Sequence, residues 1–249
     1  RTWAKTRMHD LIPWVRKWVP EGMYAAGPGA GAFDAHYVLA LRTEHAVAVN
    51  SMFAGGSTDM DKCFDRVLRE IVLPMAHDAG FPMHIPRAYQ GYNNNLMTFN
   101  QYALGLGKAR KRPSTLLQGC PFSMMFLSLM MEPWTRLVNA QHGVPRVLAD
   151  DLCTYHHGPN ADRQAAITFQ ETNLYLCHTG GQAKVSKTWA FASTAIARGT
   201  LRGVVFPGAA YLEAVRGAHV EADKSTSGVV AESGVFFLQP LVLGEEPEL

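Results

Sequence analysis

The chain has 249 residues, 47% of them hydrophobic and 18% charged, with a formal net charge of +2. That mixture excludes an intrinsically disordered polymer, and the length suffices for one large domain or two small ones around a proper core. So near-neutral a balance gives the molecule no overall electrostatic address, so an anionic partner must be met by a local basic patch.

The first segment, RTWAKTRMHDLIPWVRKWVP, mixes aromatic and basic residues and predicts helix in two pieces broken at Pro13. The chain starts inside this Trp-rich stretch, with no signal peptide in view, and is read as a piece of something longer. A Gly/Pro loop then feeds a helix from about Ala32, with Asp34 in its first turn. In GGSTDMDKCFDRV, Asp59, Asp61 and Asp65 crowd the point where small residues give way to helical spacing. Phe64, Val67, Leu68, Ile71, Val72 and Met75 carry that spacing, predicting one helix that ends between Pro74 and Gly80.

From Leu96 to Leu117 the pattern is short and broken by glycine, suiting a β-hairpin with the basic cluster KARKR near its end. The run FSMMFLSLMMEPW is apolar nearly all round and predicts a buried core helix, too short for the roughly 18 apolar residues of a membrane span. PRVLADDLCTYHHG reads as a hairpin with Asp150 and Asp151 at its tip. A helix from about Asp162 to His178, a turn and strand in GGQAKVSKTWAFAS, several short β-like runs and an acidic tail complete the chain. Cys63, Cys120, Cys153 and Cys177 lie far apart with no C-x-x-C pair, which argues for reduced thiols in an intracellular setting.

Clustered carboxylates repel unless they cap helices, pair with bases or hold a cation. Capping explains an aspartate at a helix start. If Asp59 and Asp150 occupied neighbouring strand ends, they would instead form a hard-oxygen site suited to magnesium. Two such ions can hold the attacking and leaving oxygens of an in-line displacement. Adjacent strand residues face opposite ways, so on a simple strand only one of Asp150 and Asp151 joins the site fully. A rival site, Cys153-x-x-His156 with His157, Cys177 and His178, offers zinc-type ligands, but adjacent Cys177 and His178 suit one tetrahedral centre poorly.

Taken together, these segments resemble a reverse transcriptase, most closely those of non-LTR (LINE-type) retrotransposons. STDMDKCFDRV looks like the first palm motif, D-x-x-K-A-F-D, and LLQGCPFS like the second, Q-G-x-P-x-S. LADDL looks like the x-A-D-D doublet, and GGQAKVSKT is similar to G-L-x-x-N-x-x-K-T. RTWAKTRMHDLIPW and GPGAGAFDA look like finger motifs, and AVRGAHVE resembles the hairpin that grips the primer.

The resemblance implies an α+β right-hand polymerase of fingers and palm, with an antiparallel palm sheet backed by helices. Residues 1–50 would be a fingers part, 51–200 the palm with an inserted fingers segment, and 201–249 the primer-grip region and the start of a C-terminal extension. No thumb is recognisable. The implied function is RNA-directed DNA polymerisation on an RNA template, with a DNA primer and dNTPs as partners and nuclear action. Asp59, Asp150 and Asp151 would be catalytic and, with the Met60 carbonyl, would hold two Mg2+ ions, for which Mn2+ could substitute. Phe64, Gln118, Gly119 and Lys187 would contact the nucleotide, and Lys108, Arg110, Lys111 and Arg112 the nucleic-acid backbone.

The residues also depart from the family pattern. Leu148 stands where an aromatic usually precedes the doublet, and Lys184 where the fourth motif has asparagine. Gly27 and Ala30 replace arginines of the second finger motif, and AGGST before Asp59 is poor in β-formers. The lost arginines favour the alternative of a silent, decayed palm that only binds nucleic acid. A group II intron-type reverse transcriptase, a closer relative, is a further alternative. A viral-type RNA-dependent RNA polymerase would lack Q-G-x-P-x-S.

Overall fold

The computed structural model describes residues 2–25, 29–111, 116–206, 210–211 and 214–217. Its first helix, α1 (Thr2–Trp18), runs through Pro13 without the expected break. Proline removes one amide hydrogen bond, but Leu11 and Val15 on either side are buried. Trp14 Nε1 also donates to the Ala79 carbonyl at 2.8 Å, so both halves are anchored to the same core. Helix α2 (Ala32–Ala48) starts where the sequence places it, with Asp34 Oδ2 accepting from the Gly31 amide at 2.9 Å.

Strand β1 (Phe53–Asp59) leads into α3 (Cys63–Arg66) and α4 (Arg69–Asp78). The single helix expected after Asp59 is therefore two. The Phe64 carbonyl accepts from the amide of Leu116 at 2.8 Å rather than from the next helical turn, and Val67 and Leu68 are extended. After α5 (His84–Asn95) come two nested hairpins. Strand β2 (Met97–Thr98) pairs with β5 (Arg110–Lys111), and β3 (Gln101–Tyr102) with β4 (Gly105–Leu106).

Next follow α6 (Pro121–Ala140), β6 (Val144–Leu148), β7 (Asp151–His157) and α7 (Ala161–His178). A 3-10 turn over Val185–Lys187 leads to β8 (Trp189–Ala192) and α8 (Ala195–Arg202). Three short strands end the described chain: β9 (Val205–Phe206), β10 (Ala210–Tyr211) and β11 (Ala214–Gly217).

The main sheet has the order β11-β8-β1-β7-β6. Neighbours are antiparallel except β11, which runs parallel to β8. The first half of AVRGAHVE is therefore an edge strand, and its remainder lies outside the described residues. Alternation along β1 separates two faces. Ala54 and Gly56 lie against α7 and α8 through Phe169, Ala165 and Ala197. Phe53 packs with Tyr155 and Phe191 beneath Leu39 and Ala46 of α2, at the end of the sheet remote from Asp59.

The methionine-rich α6 is buried along most of its length, as its composition predicts, and Trp134 Nε1 ties it to α7 by donating to Thr172 Oγ1 at 2.9 Å. Another buried polar link joins sheet and helices. Thr168 Oγ1 donates to Gln141 Oε1 at 2.7 Å, so the His156 Nε2 that meets Thr168 Oγ1 at 2.9 Å is the protonated ring nitrogen.

The glycines of AGGST, which looked unfavourable for a strand, are required by its central position. A Cβ at Gly55 would fall 2.2 Å from the Thr154 carbonyl oxygen, and one at Gly56 2.1 Å from Phe169 Cζ. Closeness of cover, rather than β-propensity, selects the residue there.

Candidate active site: carboxylates at the end of the sheet

Strand pairing brings the predicted carboxylates together. β1 and β7 are in register, with Asp59 directly opposite Asp151, so these two side chains leave the same face of the sheet. This revises the ranking drawn from the sequence. Asp151, expected to face away, is the strand residue opposite Asp59, whereas Asp150 sits in the two-residue turn between Leu148 and Asp151. A strand facing rule does not apply to a turn, and Ala149 before it takes φ +58, a costly conformation for alanine. Asp150 remains with the group, since its charge and that of Asp59 both act on Cys63 and on Asp151.

Asp151 keeps an exposed edge, yet partial desolvation pushes its carboxyl up from the usual aspartate range. The carboxylates of Asp150 and Asp59 add to the rise, and His36 and Lys187 oppose it. Cys63, buried beneath the group, has its thiol pushed up to about 12, by burial first and then by Asp150 and Asp59.

The backbone on the other side of Asp59 is also fixed. The Lys184 amide donates to the Asp59 carbonyl and the Asp61 amide to the Gln182 carbonyl, both at 2.8 Å, bracketing a bridge between Met60 and Ala183. In that pattern Met60 turns its own amide and carbonyl away from Ala183. It therefore turns them toward the side on which β7 pairs with β1. Segment 182–184 belongs to GGQAKVSKT, so these bonds bring the fourth motif to the strand that carries Asp59, while His36, which no motif marks, acts on Asp151 through its charge.

Lys187, just after this segment, places Nζ 3.3 Å from Asp59 Oδ2, with the two side chains 60% and 16% exposed. The protein thus supplies its own cation to Asp59. Among the described residues no three histidine, cysteine, aspartate or glutamate side chains already converge as a ligand set. The chemistry of the donors nonetheless fits a hard divalent cation: carboxylates at one sheet end, beside a main-chain carbonyl turned the same way. Asp61 does not join them. It pairs with Arg66 Nη2 at 2.9 Å, so a base rather than a metal cation offsets its charge.

The Q-G segment approaches from α6. Leu116 bonds the Phe64 carbonyl, fastening this loop to the helix that follows Asp59. Phe64 is half-buried against the main core. Gly119 takes φ +75 in a turn closed by the Cys120 amide and the Leu117 carbonyl, a position that suits glycine. Ser123 Oγ donates to the same carbonyl at 2.8 Å. Gln118 is exposed and borders a cavity of about 590 Å³ lined also by Trp3, Tyr89, Tyr92 and Leu117.

Lys108, Arg110 and Lys111 are exposed on the nested hairpins, while Arg112 lies outside the described residues, as does Gly27. The zinc alternative is not assembled. Cys153 and His156 stand on opposite faces of β7, His156 is buried against Thr168, and burial pushes the Cys153 thiol up to about 12.

No protein-family model and no curated protein matches the sequence. Solved structures do match. Apo telomerase from Candida tropicalis truncated from its C-terminal domain aligns with a TM-score of 0.60 at 10% identity, over 77% of this chain and 41% of that one. Another apo telomerase from Candida tropicalis gives 0.55 at 12% identity, over 76% and 35%. Telomerase from Candida albicans in complex with the TWJ fragment of telomeric RNA gives 0.50 at 12% identity, over 76% and 33%. The chain spans less than half the length of each of these proteins. At such identities the likeness is one of fold: a mixed helix-and-sheet domain with an antiparallel sheet, resembling that of telomerase, a reverse transcriptase-related polymerase.

Proposed function

We propose that this chain is the fingers-and-palm part of an RNA-directed DNA polymerase of the non-LTR retrotransposon type. It would transfer a nucleotidyl group from a dNTP to a primer 3′-hydroxyl. The observation that carries the reading is the register of β1 with β7, which sets Asp59 opposite Asp151 with Asp150 at the adjoining turn. The telomerase-like fold supports it, as does the meeting of STDMDKCFDRV, LADDL and GGQAKVSKT at one end of the sheet.

In this reading Asp59, Asp150, Asp151 and the Met60 carbonyl would hold two Mg2+ ions, with Mn2+ as a substitute. Bound there, such ions lower the pKa of an attacking hydroxyl and neutralise phosphate charge. Lys187 would leave Asp59 for the phosphates of the nucleotide and give a proton to the departing pyrophosphate. Phe64 would exclude a ribose 2′-hydroxyl by bulk, and Gln118 and Gly119 would lie along nucleotide and template. Lys108, Arg110, Lys111 and Arg112 would follow the nucleic-acid backbone. Residues 1–50 would belong to the fingers and 201–249 to the primer grip and beyond, and the enzyme would act in the nucleus.

A second reading, a silent domain that binds nucleic acid without extending it, is favoured by one observation: Asp59 is already neutralised by Lys187. Primer extension on poly(rA)/oligo(dT) with Mg2+ separates the two. Incorporation that is lost in both Asp59→Asn and Asp151→Asn supports the polymerase. A folded chain that binds the duplex without extending it supports the silent domain.

A further inference from the structure

The acidic residues are unevenly distributed. From Ala79 to Met131 the chain has no aspartate or glutamate, yet it carries Arg87, Lys108, Arg110, Lys111 and Arg112. The nested hairpins in this stretch also expose aromatic rings. Phe99 is 52% and Tyr102 61% exposed, and Tyr92 at the end of α5 is exposed beside them in sequence. Such rings ordinarily seek a core.

Tyr102 is exposed but not loose. Its hydroxyl accepts from Asn100 Nδ2 at 3.1 Å, and its ring edge lies 3.1 Å from where a Cβ on Gly107 would stand. The ring is therefore seated over the glycine that precedes Lys108. Across the outer hairpin, Met97 pairs with Lys111 and Thr98 with Arg110, so strand pairing fixes the backbone from which these exposed basic side chains leave, one on each face. A held Tyr102 ring and an exposed Phe99 beside a basic strand, with no carboxylate nearby in sequence, combine the two elements that bind single-stranded nucleic acid. Bases stack on the rings and phosphates meet the cations.

We infer that the hairpins from Met97 to Lys111 form a docking platform for single-stranded RNA, with Phe99 and Tyr102 stacking bases and Lys108, Arg110 and Lys111 taking phosphates. The choice of RNA rests on the polymerase reading, in which the template is RNA. A duplex fits less well, because its bases are already stacked and offer no free faces.

Fluorescence anisotropy with a labelled single-stranded RNA, its duplex form and the matching single-stranded DNA tests this. Divalent cation and nucleotide are omitted, so a chain that never extends a primer still answers the question. The single-stranded RNA should bind in preference to the duplex and at least as well as the DNA. Phe99→Ala with Tyr102→Ala should weaken it at least tenfold, and Tyr102→Phe, which keeps the ring, by less than twofold. Replacing Lys108, Arg110 and Lys111 by alanine should reduce the slope of log affinity against log salt by about 2.

Circular dichroism confirms that the variants fold, as substitutions at exposed positions should allow. Preference for duplex or for DNA would overturn the inference, as would unchanged binding in the double aromatic variant. So would self-association through the exposed Leu104 and Leu106 with no RNA bound.

Discussion

Replacing Lys187 by methionine should tighten the binding of a divalent cation. The ammonium lies 3.3 Å from Asp59 Oδ2 and must leave before that oxygen can serve a metal. In bulk water two unit charges at this distance attract by about 1.3 kcal/mol. With the lysine side chain 60% exposed, solvent and salt reduce the working value to about 0.2–1 kcal/mol. Methionine keeps most of the aliphatic stem, so packing changes little.

The dissociation constant for Mn2+ should therefore fall about 1.4-fold to 5-fold, less at high ionic strength. Electron paramagnetic resonance of free Mn2+, titrated at low and high salt, measures it. In an Asp59→Asn background the Lys187→Met effect should shrink to what the charge of Lys187 exerts on Asp151 alone. Weaker Mn2+ binding by Lys187→Met, or an equal effect with and without Asp59, would refute the view that lysine and cation compete for one carboxylate.

Other expectations follow from the same geometry. Because Asp151 holds its proton more tightly than an ordinary aspartate, Mn2+ affinity should decline on acidification at a higher pH than such a residue would set. Asp151→Asn should remove that early decline. His156, fully buried, has its pKa lowered from 6.5 to about 4, by desolvation first and then by His157 and His142. The unfolded chain therefore binds the extra proton first. Stability should fall as pH drops from 6.5 toward 4, by about 3 kcal/mol in all, and urea unfolding across that range should show the slope vanish in His156→Gln. Gly56→Ala must push Phe169 aside from 2.1 Å or shift the strand, and should cost about 1–3 kcal/mol by thermal unfolding.

What could be read from the residues alone was whatever depends on local order. The apolar character of α6, the start of α2 and the span of α7 follow from periodicity and caps, and the structure has them where expected. The two helical errors have opposite causes. Pro13 is a local break signal overridden by the anchoring of Leu11, Trp14 and Val15, while an unbroken periodicity from Phe64 onward is interrupted by a hydrogen bond from Leu116.

At the site, the motif resemblance pointed to Asp59, Asp150 and Asp151, but not to which of the doublet pairs with Asp59. That is a matter of register between strands almost a hundred residues apart, and the turn at Ala149 moves Asp150 off the pleat. The main chain of 182–184 lies in a motif that the sequence marks, but its hydrogen bonds beside Asp59 are tertiary and could not be read there, and no motif marks the influence of His36 on Asp151.

The paired glycines of β1 also act as an indexing device. Only a residue without a side chain fits under Phe169, so a slide of two positions would drive Ala54 or Thr58 into that ring. A slide of one position could seat Gly55 there, but it would turn Asp59 toward the helices, where a lone carboxylate is costly. The strand is thus stopped at a single setting by the space beneath its middle, several residues from the carboxylates. Tolerance at the chemical end can be generous, because alignment is guaranteed from within the sheet.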